Sequence, residues 1–146
     1  MNMSLSKATD TIGVRSVARS WDQRSGLTLG LEWARGPWHL GAIASAHSGW
    51  PTTQLLRTAD GSVALGPRNA VPLPRVASLD LHAEYRRPMR LGSLAISLDI
   101  TNATNRHNIC CTEIDVDRNA LATPILDADS RTWLPLVPSL KLDWEF

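Results

Sequence analysis

The stretch that decides the fold is Trp133-Leu-Pro-Leu-Val-Pro-Ser-Leu-Lys-Leu-Asp-Trp-Glu-Phe146. From Ser139 onward the odd-numbered residues are polar, whereas the even-numbered residues are apolar and end in Trp144 and Phe146. Successive side chains of a β-strand point to opposite faces, so this alternation predicts a strand with one polar and one apolar face. Both a soluble sandwich and an outer-membrane β-barrel contain such strands, and the final aromatics favour the barrel, because free chain ends are usually frayed and polar.

Length and composition limit the remaining choices. The chain has 146 residues, which suits one domain, and a formal net charge of +1, which offers no electrostatic basis for binding nucleic acid. It contains no apolar run long enough for a transmembrane helix. Residues 1–10 lack the apolar centre of a secretory signal. We therefore expect either a cytoplasmic protein or the tail of a longer one.

Four more stretches alternate in the same way, and their spacing predicts the topology. The five predicted strands lie near 25–35, 38–49, 75–88, 93–105 and 133–146, after an irregular N-terminal segment at 1–18. Two short turns alternate with two long connections, near 50–74 and 105–132, and Asp60-Gly61 in the first predicts a hairpin turn. Outer-membrane barrels combine short periplasmic turns with long outer loops. We predict an all-β, antiparallel meander of about five transmembrane strands in residues 19–146, forming an incomplete segment of a large barrel.

Aromatic residues collect at both predicted ends of these strands. Trp21, Trp50 and Trp133 fall near the ends that carry the long loops. The residues predicted to form a membrane girdle at the short-turn end are Trp33, Trp38, Tyr85, Trp144 and Phe146. Barrels place aromatic girdles at both membrane boundaries, and strands of about ten residues match a tilted membrane span.

The polar strand faces carry most of the charged residues of the predicted strands. On a lipid-facing surface each charge would be costly, whereas a lumen containing water or a plug satisfies it. The predicted lumen-facing residues are Asp80, His82, Glu84, Arg86, Asp99, Lys141, Asp143 and Glu145.

Three clusters contain residue types that can bind a metal ion. His82 and Glu84, with Asp80, have a spacing that could hold a metal, but a charged lumen wall is the favoured interpretation. Residues 115–119 alternate oxygen donors, yet lack the glycine and distant glutamate of a helical calcium loop. The adjacent Cys110 and Cys111, with His107 nearby, leave a vicinal disulfide, a soft-metal site and two ordinary thiols open. We expect no catalytic, cofactor or metal site, and no enzyme.

Five segments together carry a resemblance to a known family. These segments are Arg19-Ser-Trp-Asp-Gln-Arg24, Ser48-Gly-Trp-Pro-Thr-Thr53, Ser78-Leu-Asp-Leu81, Asp99-Ile-Thr-Asn-Ala-Thr-Asn105 and Trp144-Glu-Phe146. In this order the chain, over residues 19–146, resembles the C-terminal end of a TonB-dependent outer-membrane receptor. Ala103 and Thr104 replace a usually bulkier pair, and Lys141 stands where the family's terminal signal usually has glycine.

The resemblance implies a function and a set of partners. Such receptors take up scarce nutrients such as siderophores across the outer membrane of Gram-negative bacteria. It implies that Ser139, Trp144 and Phe146 form a signal for the barrel-assembly machinery, and that lipid surrounds the strands. The rest of the barrel, the plug and, through the plug, TonB would be the other partners. Because about five strands cannot close a barrel, we expect a fragment that is inactive alone. A soluble all-β binding module and the β-domain of another outer-membrane protein remain alternatives.

Overall fold

The computed structural model describes residues 1–57, 59, 63–117 and 125–146. Within these ranges every regular element is a β-strand and every strand pair is antiparallel, which confirms the predicted all-β class. None of them contains a helix long and apolar enough to cross a membrane. The strands are β1 (Asn2–Leu5), β2 (Thr9–Ile12), β3 (Arg15–Ala18), β4 (Ser25–Arg35), β5 (Trp38–His47), β6 (Pro51–Thr52), β7 (Leu55–Arg57), β8 (Val63–Leu65), β9 (Val71–Pro72), β10 (Val76–Met89), β11 (Gly92–Thr101), β12 (Ile109–Asp117), β13 (Ile125–Thr132) and β14 (Val137–Glu145).

Six of these strands form the main sheet, in the order β1-β4-β5-β10-β11-β14. The order of these strands in the sheet is their order along the chain, and each pairs antiparallel with the next. The predicted meander is therefore confirmed. The predicted strands correspond to β4, β5, β10, β11 and β14. The sheet is not closed, and β1 and β14 are its outer strands.

The strand ends at the long-loop side differ from the prediction. β11 ends at Thr101 because the next residue, Asn102, turns the backbone with a positive φ of 51°. β14 begins only at Val137, since Trp133 and Leu136 donate their backbone N–H groups to the loop residues Asn108 and Asn105 instead.

The expectation of an irregular segment at 1–18 is wrong. β1 pairs with the start of β4, with Leu5 opposite Ser25, and β2 and β3 form a hairpin whose connection includes Gly13 at a φ of 62°. β2 is exposed along its whole length, and most of this segment is exposed as well. A strand without a buried face has no reason to alternate, and four residues are too few to show a period.

The two long connections contain strands of their own. The first holds two small sheets, β6 with β9 and β7 with β8, and the second holds the hairpin β12–β13. In the first connection, Leu55–Arg57 pairs with Val63–Leu65 as β7–β8, on either side of Asp60-Gly61. The predicted turn at Asp60-Gly61 lies outside the described residues.

The register sorts the main-sheet side chains onto two faces. One cross-strand row consists of Trp33, Leu40, Ala83, Leu98 and Leu140, and the adjacent row on the other face consists of Glu32, Gly41, His82, Asp99 and Ser139. In the described part of the chain the only buried apolar residue is Ala95, at 4% exposure, and it lies on the polar face. The main sheet is therefore a single layer, and its apolar side chains are not assembled into a core.

Candidate functional site

The short-turn end of the main sheet carries a group of aromatic side chains. Trp38 and Tyr85 are register partners with ring centroids 4.8 Å apart. Trp144 lies opposite Leu94, and its indole Nε1 donates a 3.1 Å hydrogen bond to the carbonyl oxygen of Leu91 in the turn. Trp33 lies on the same face, in the row next to that of Trp38 and Tyr85. Phe146 follows β14, and its side chain is fully exposed. The structure thus gathers all five residues of the predicted girdle at one end of the sheet.

A second aromatic group lies at the long-loop end. The rings of Trp50 and Trp133 are 6.2 Å apart and meet edge to face, and the Trp50 ring is 5.9 Å from that of His47. Trp21 is exposed, with the Arg19 guanidinium 5.8 Å from its ring centroid. Aromatics therefore mark both ends of the main strands.

Hydrogen bonds and ion pairs join neighbouring strands on the polar face. His82 Nδ1 lies 2.6 Å from a carboxylate oxygen of Asp99 on the adjacent strand. The same Asp80 oxygen accepts hydrogen bonds from the Ser78 hydroxyl and the Asn102 backbone N–H, both at 2.8 Å. These contacts give the charged groups of β10 partners within the sheet.

The part of this face nearer the short turns also contains ion pairs. Glu84 contacts Arg86 at 3.3 Å and accepts a long hydrogen bond from the Ser97 hydroxyl at 3.5 Å, while Lys141 pairs with Asp143 at 2.7 Å. All eight predicted lumen-facing residues lie on this one face, with Glu145 opposite Ser93 at its edge. Asp80, His82, Glu84 and Asp99 line a groove of about 930 Å³ over the sheet.

A junction of asparagines lies at the long-loop end of β10 and β11. It was not predicted from the sequence. The Asn108 side chain accepts from Ala77 N at 3.0 Å and donates to Ala77 O at 2.7 Å, as a neighbouring strand would. Buried Asn102 donates to the backbone oxygens of Arg106 and Leu134. The signal available in the sequence was the spacing of Asn102, Asn105 and Asn108, since asparagine tolerates positive φ and bonds to nearby backbone.

A buried carboxylate in the N-terminal segment was also missed. The Asp22 side chain is inaccessible to solvent, pairs with Arg24 at 2.5 Å and accepts the Ala8 backbone N–H at 2.6 Å. Asn69, from the first long loop, donates its amide to the Ala18 carbonyl oxygen at 2.7 Å. Asp22 thus joins Arg24, next to β4, to Ala8, next to β2, and Asn69 joins the first long loop to the end of β3.

The candidate metal ligands are not brought together. His82 is occupied by Asp99, and no group of three or more His, Cys, Asp or Glu side chains in the described ranges is arranged to hold a metal ion. Cys110 and Cys111 are free thiols, and a hydrogen bond with Cys110 raises the pKa of the Cys111 thiol above its ordinary value. The oxygen donors of residues 115–119 lie outside the described side chains.

No protein-family model, curated protein or solved structure matches this chain. The two faces of the main sheet form the candidate site. Its main property is the separation of the two faces, one exposed and apolar with aromatics at its end, the other polar and ion-paired.

Proposed function

We propose that this chain is the C-terminal β-barrel portion of a TonB-dependent receptor in the outer membrane of a Gram-negative bacterium. The receptor takes up a scarce nutrient such as a siderophore, and this portion supplies wall strands and outer loops. The observation that carries the proposal is the separation of apolar and charged side chains between the two faces of one sheet layer.

The apolar face supports a lipid environment. Leu140, Leu142 and Trp144 remain 68%, 66% and 62% exposed, and no second sheet in the described ranges covers them. A contiguous apolar surface of this kind is unfavourable in water, but a bilayer satisfies it. In a sandwich these same side chains would form the core between two layers.

The polar face supports a lumen. Its charged groups have polar partners on the same face: Asp99 contacts His82 on the neighbouring strand, and Lys141 pairs with Asp143 within β14. The buried residues Ala95 and Ser97 also lie on this face, between longer neighbours such as Glu84 and Arg86. In the intact receptor this surface would face water and the plug.

The strand dimensions and the open edges support membership of a larger barrel. β4, β5, β10, β11 and β14 contain between 9 and 14 residues, enough for a tilted span of the hydrocarbon layer. The outer backbone groups of β14 have no strand partner in the described part of the chain. In lipid such an edge must be paired, so the remaining barrel strands are required partners.

The plug, TonB and the barrel-assembly machinery belong to the proposal through the family resemblance. Ser139, Trp144 and Phe146 would be read by the assembly machinery, and the outer loops around β6–β9 and β12–β13 would face the medium. Substrate uptake requires the plug, so this portion is inactive by itself.

A matched pair of substitutions tests the lipid assignment. Leu31 is 76% exposed on the apolar face, and Thr28 is exposed on the polar face of the same strand. We expect Leu31→Arg to lower the free energy of unfolding in phospholipid vesicles by about 2–4 kcal/mol, because the arginine would enter lipid. Thr28→Arg, the control, changes it by less than about 0.5 kcal/mol. Urea titrations followed by tryptophan fluorescence measure both.

The soluble all-β module is the opposing outcome. For a sheet whose faces both meet water, the two arginines would be tolerated equally, because each replaces an exposed side chain. Equal stability of the two variants, with the wild type folded in plain buffer, would reject the membrane proposal.

A further inference from the structure

Three arginines at the short-turn end of the sheet have no acidic partner in the part of the chain that the structure describes. Arg35 ends β4, Arg87 lies near the end of β10, and Arg90 lies in the turn before β11. All three are exposed, and none takes part in an ion pair within the described ranges. By contrast Arg86, which alternates onto the polar face, is paired with Glu84.

Two of these arginines are the exceptions to an otherwise uncharged face. The register places Arg35 opposite Trp38 and Arg87 opposite Leu94, both on the apolar face. No other charged residue in β4, β5, β10, β11 or β14 lies on that face. The positive charge is thus confined to the last rows of the strands, beside the aromatic group.

Hydrogen bonds hold each of the two turns against a neighbouring strand. The Arg86 N–H donates to the Pro37 carbonyl oxygen at 2.8 Å, which ties the first turn to β10 next to Arg87. The bond from Trp144 to the Leu91 carbonyl fixes the second turn next to Arg90. Strand spacing then puts the Cα atoms of Arg35 and Arg87 roughly 12 Å apart.

We propose that Arg35, Arg87 and Arg90 bind the phosphate groups of anionic phospholipids in the leaflet that borders the short turns. This inference rests on the proposed function, in which the apolar face meets lipid. At that depth the apolar face passes from hydrocarbon to headgroups, and tryptophan and tyrosine mark the same boundary. A guanidinium binds a phosphate through two parallel hydrogen bonds, and no ion pair in the described ranges occupies these three guanidinium groups.

The position on the lipid-facing side selects lipid over an acidic protein as the occupant. Arg35 and Arg87 lie within rows that also contain Trp38, Tyr85 and Leu94. A ligand that contacts these rows must itself be part apolar and part anionic, as a phospholipid is. A soluble acidic protein could reach only Arg90, in the turn, without also contacting the apolar rows.

Vesicle flotation of the full chain, diluted from urea, tests the inference. The vesicles contain either phosphatidylcholine alone or equal parts of phosphatidylcholine and phosphatidylglycerol. We expect the anionic mixture to increase the partition coefficient, with a contribution of about fivefold from each arginine and roughly a hundredfold from all three. The triple variant Arg35→Gln, Arg87→Gln, Arg90→Gln should lose this gain, and the corresponding triple lysine variant should keep most of it.

The controls separate this inference from the proposed function. Arg68 is an exposed arginine of a long loop, so the Arg68→Gln variant should keep the gain. Glycerol phosphate in solution should not abolish the gain. Equal binding of the wild type to both compositions overturns the lipid site but leaves the barrel proposal standing. A gain that survives in the glutamine variant, or that free glycerol phosphate removes, also overturns the site. Failure to bind either composition overturns both proposals.

Discussion

At the scale of single residues, Asn108 takes the place of a strand partner. Its amide satisfies both backbone groups of Ala77 at the start of β10, and it is 4% exposed. We expect Asn108→Leu to lower the free energy of unfolding in detergent micelles by about 2 kcal/mol, because two backbone groups would lose their partner. Urea titration followed by tryptophan fluorescence measures the change.

Two further variants make the Asn108 test specific. Asn108→Asp keeps the oxygen that accepts from Ala77 N and removes the amide that donates to Ala77 O, so its loss should be intermediate. His107→Ala changes an exposed neighbour and should be nearly neutral. A neutral Asn108→Leu would show that water replaces the amide.

At the scale of elements, the β11–β14 pair depends on Gly92. Its φ is +97°, and a Cβ built there would lie 1.8 Å from the Glu145 carbonyl oxygen. Gly92→Ala combines an unfavourable backbone conformation with displacement of the end of β14, so we expect a loss of at least about 1 kcal/mol in unfolding free energy. Thermal unfolding in detergent, followed by far-UV circular dichroism, measures it.

Gly30→Ala is the matched control for this element. Gly30 lies within β4, and a Cβ at that position meets nothing within 4 Å. Alanine also restricts the unfolded chain, so this variant should be neutral or slightly stabilising. An equal loss in both variants would mean that glycine content in general, and not the approach of Gly92 to β14, sets the stability.

At the scale of the whole molecule, the single-layer sheet determines how the isolated chain behaves. Its exposed leucines and tryptophans favour association in water, and so do the outer edges of β1 and β14, which have no strand partner within the described ranges. We expect the chain expressed alone to enter the insoluble fraction, and to become monodisperse after refolding in detergent. Size-exclusion chromatography with light scattering provides the measurement. A monomer in plain buffer that unfolds cooperatively would contradict this prediction.

The sequence by itself determined the main strands, their order and the division of residues between the two faces. Alternation such as that of Leu140, Lys141 and Leu142 is a local property, because side chains in any strand point to opposite faces. Short turns such as the one between β4 and β5 force neighbouring strands to pair antiparallel, so the meander follows from turn length. The ends of these strands could be placed only approximately.

Only the tertiary structure decided the contacts that join distant parts of the chain. Asn108 meets Ala77 across 31 positions, and Asn69 meets Ala18 across 51, and neither pair leaves a periodic trace in the sequence. The strands in 1–18 escaped the prediction because most of their side chains face solvent, so nothing selects for alternation there. Likewise, Arg35, Arg87 and Arg90 were recognisable as one group only once register and turn contacts had brought three separate segments to the same end of the sheet. Periodicity reports which face a residue occupies, whereas a partner at long range is set by how the strands are laid side by side.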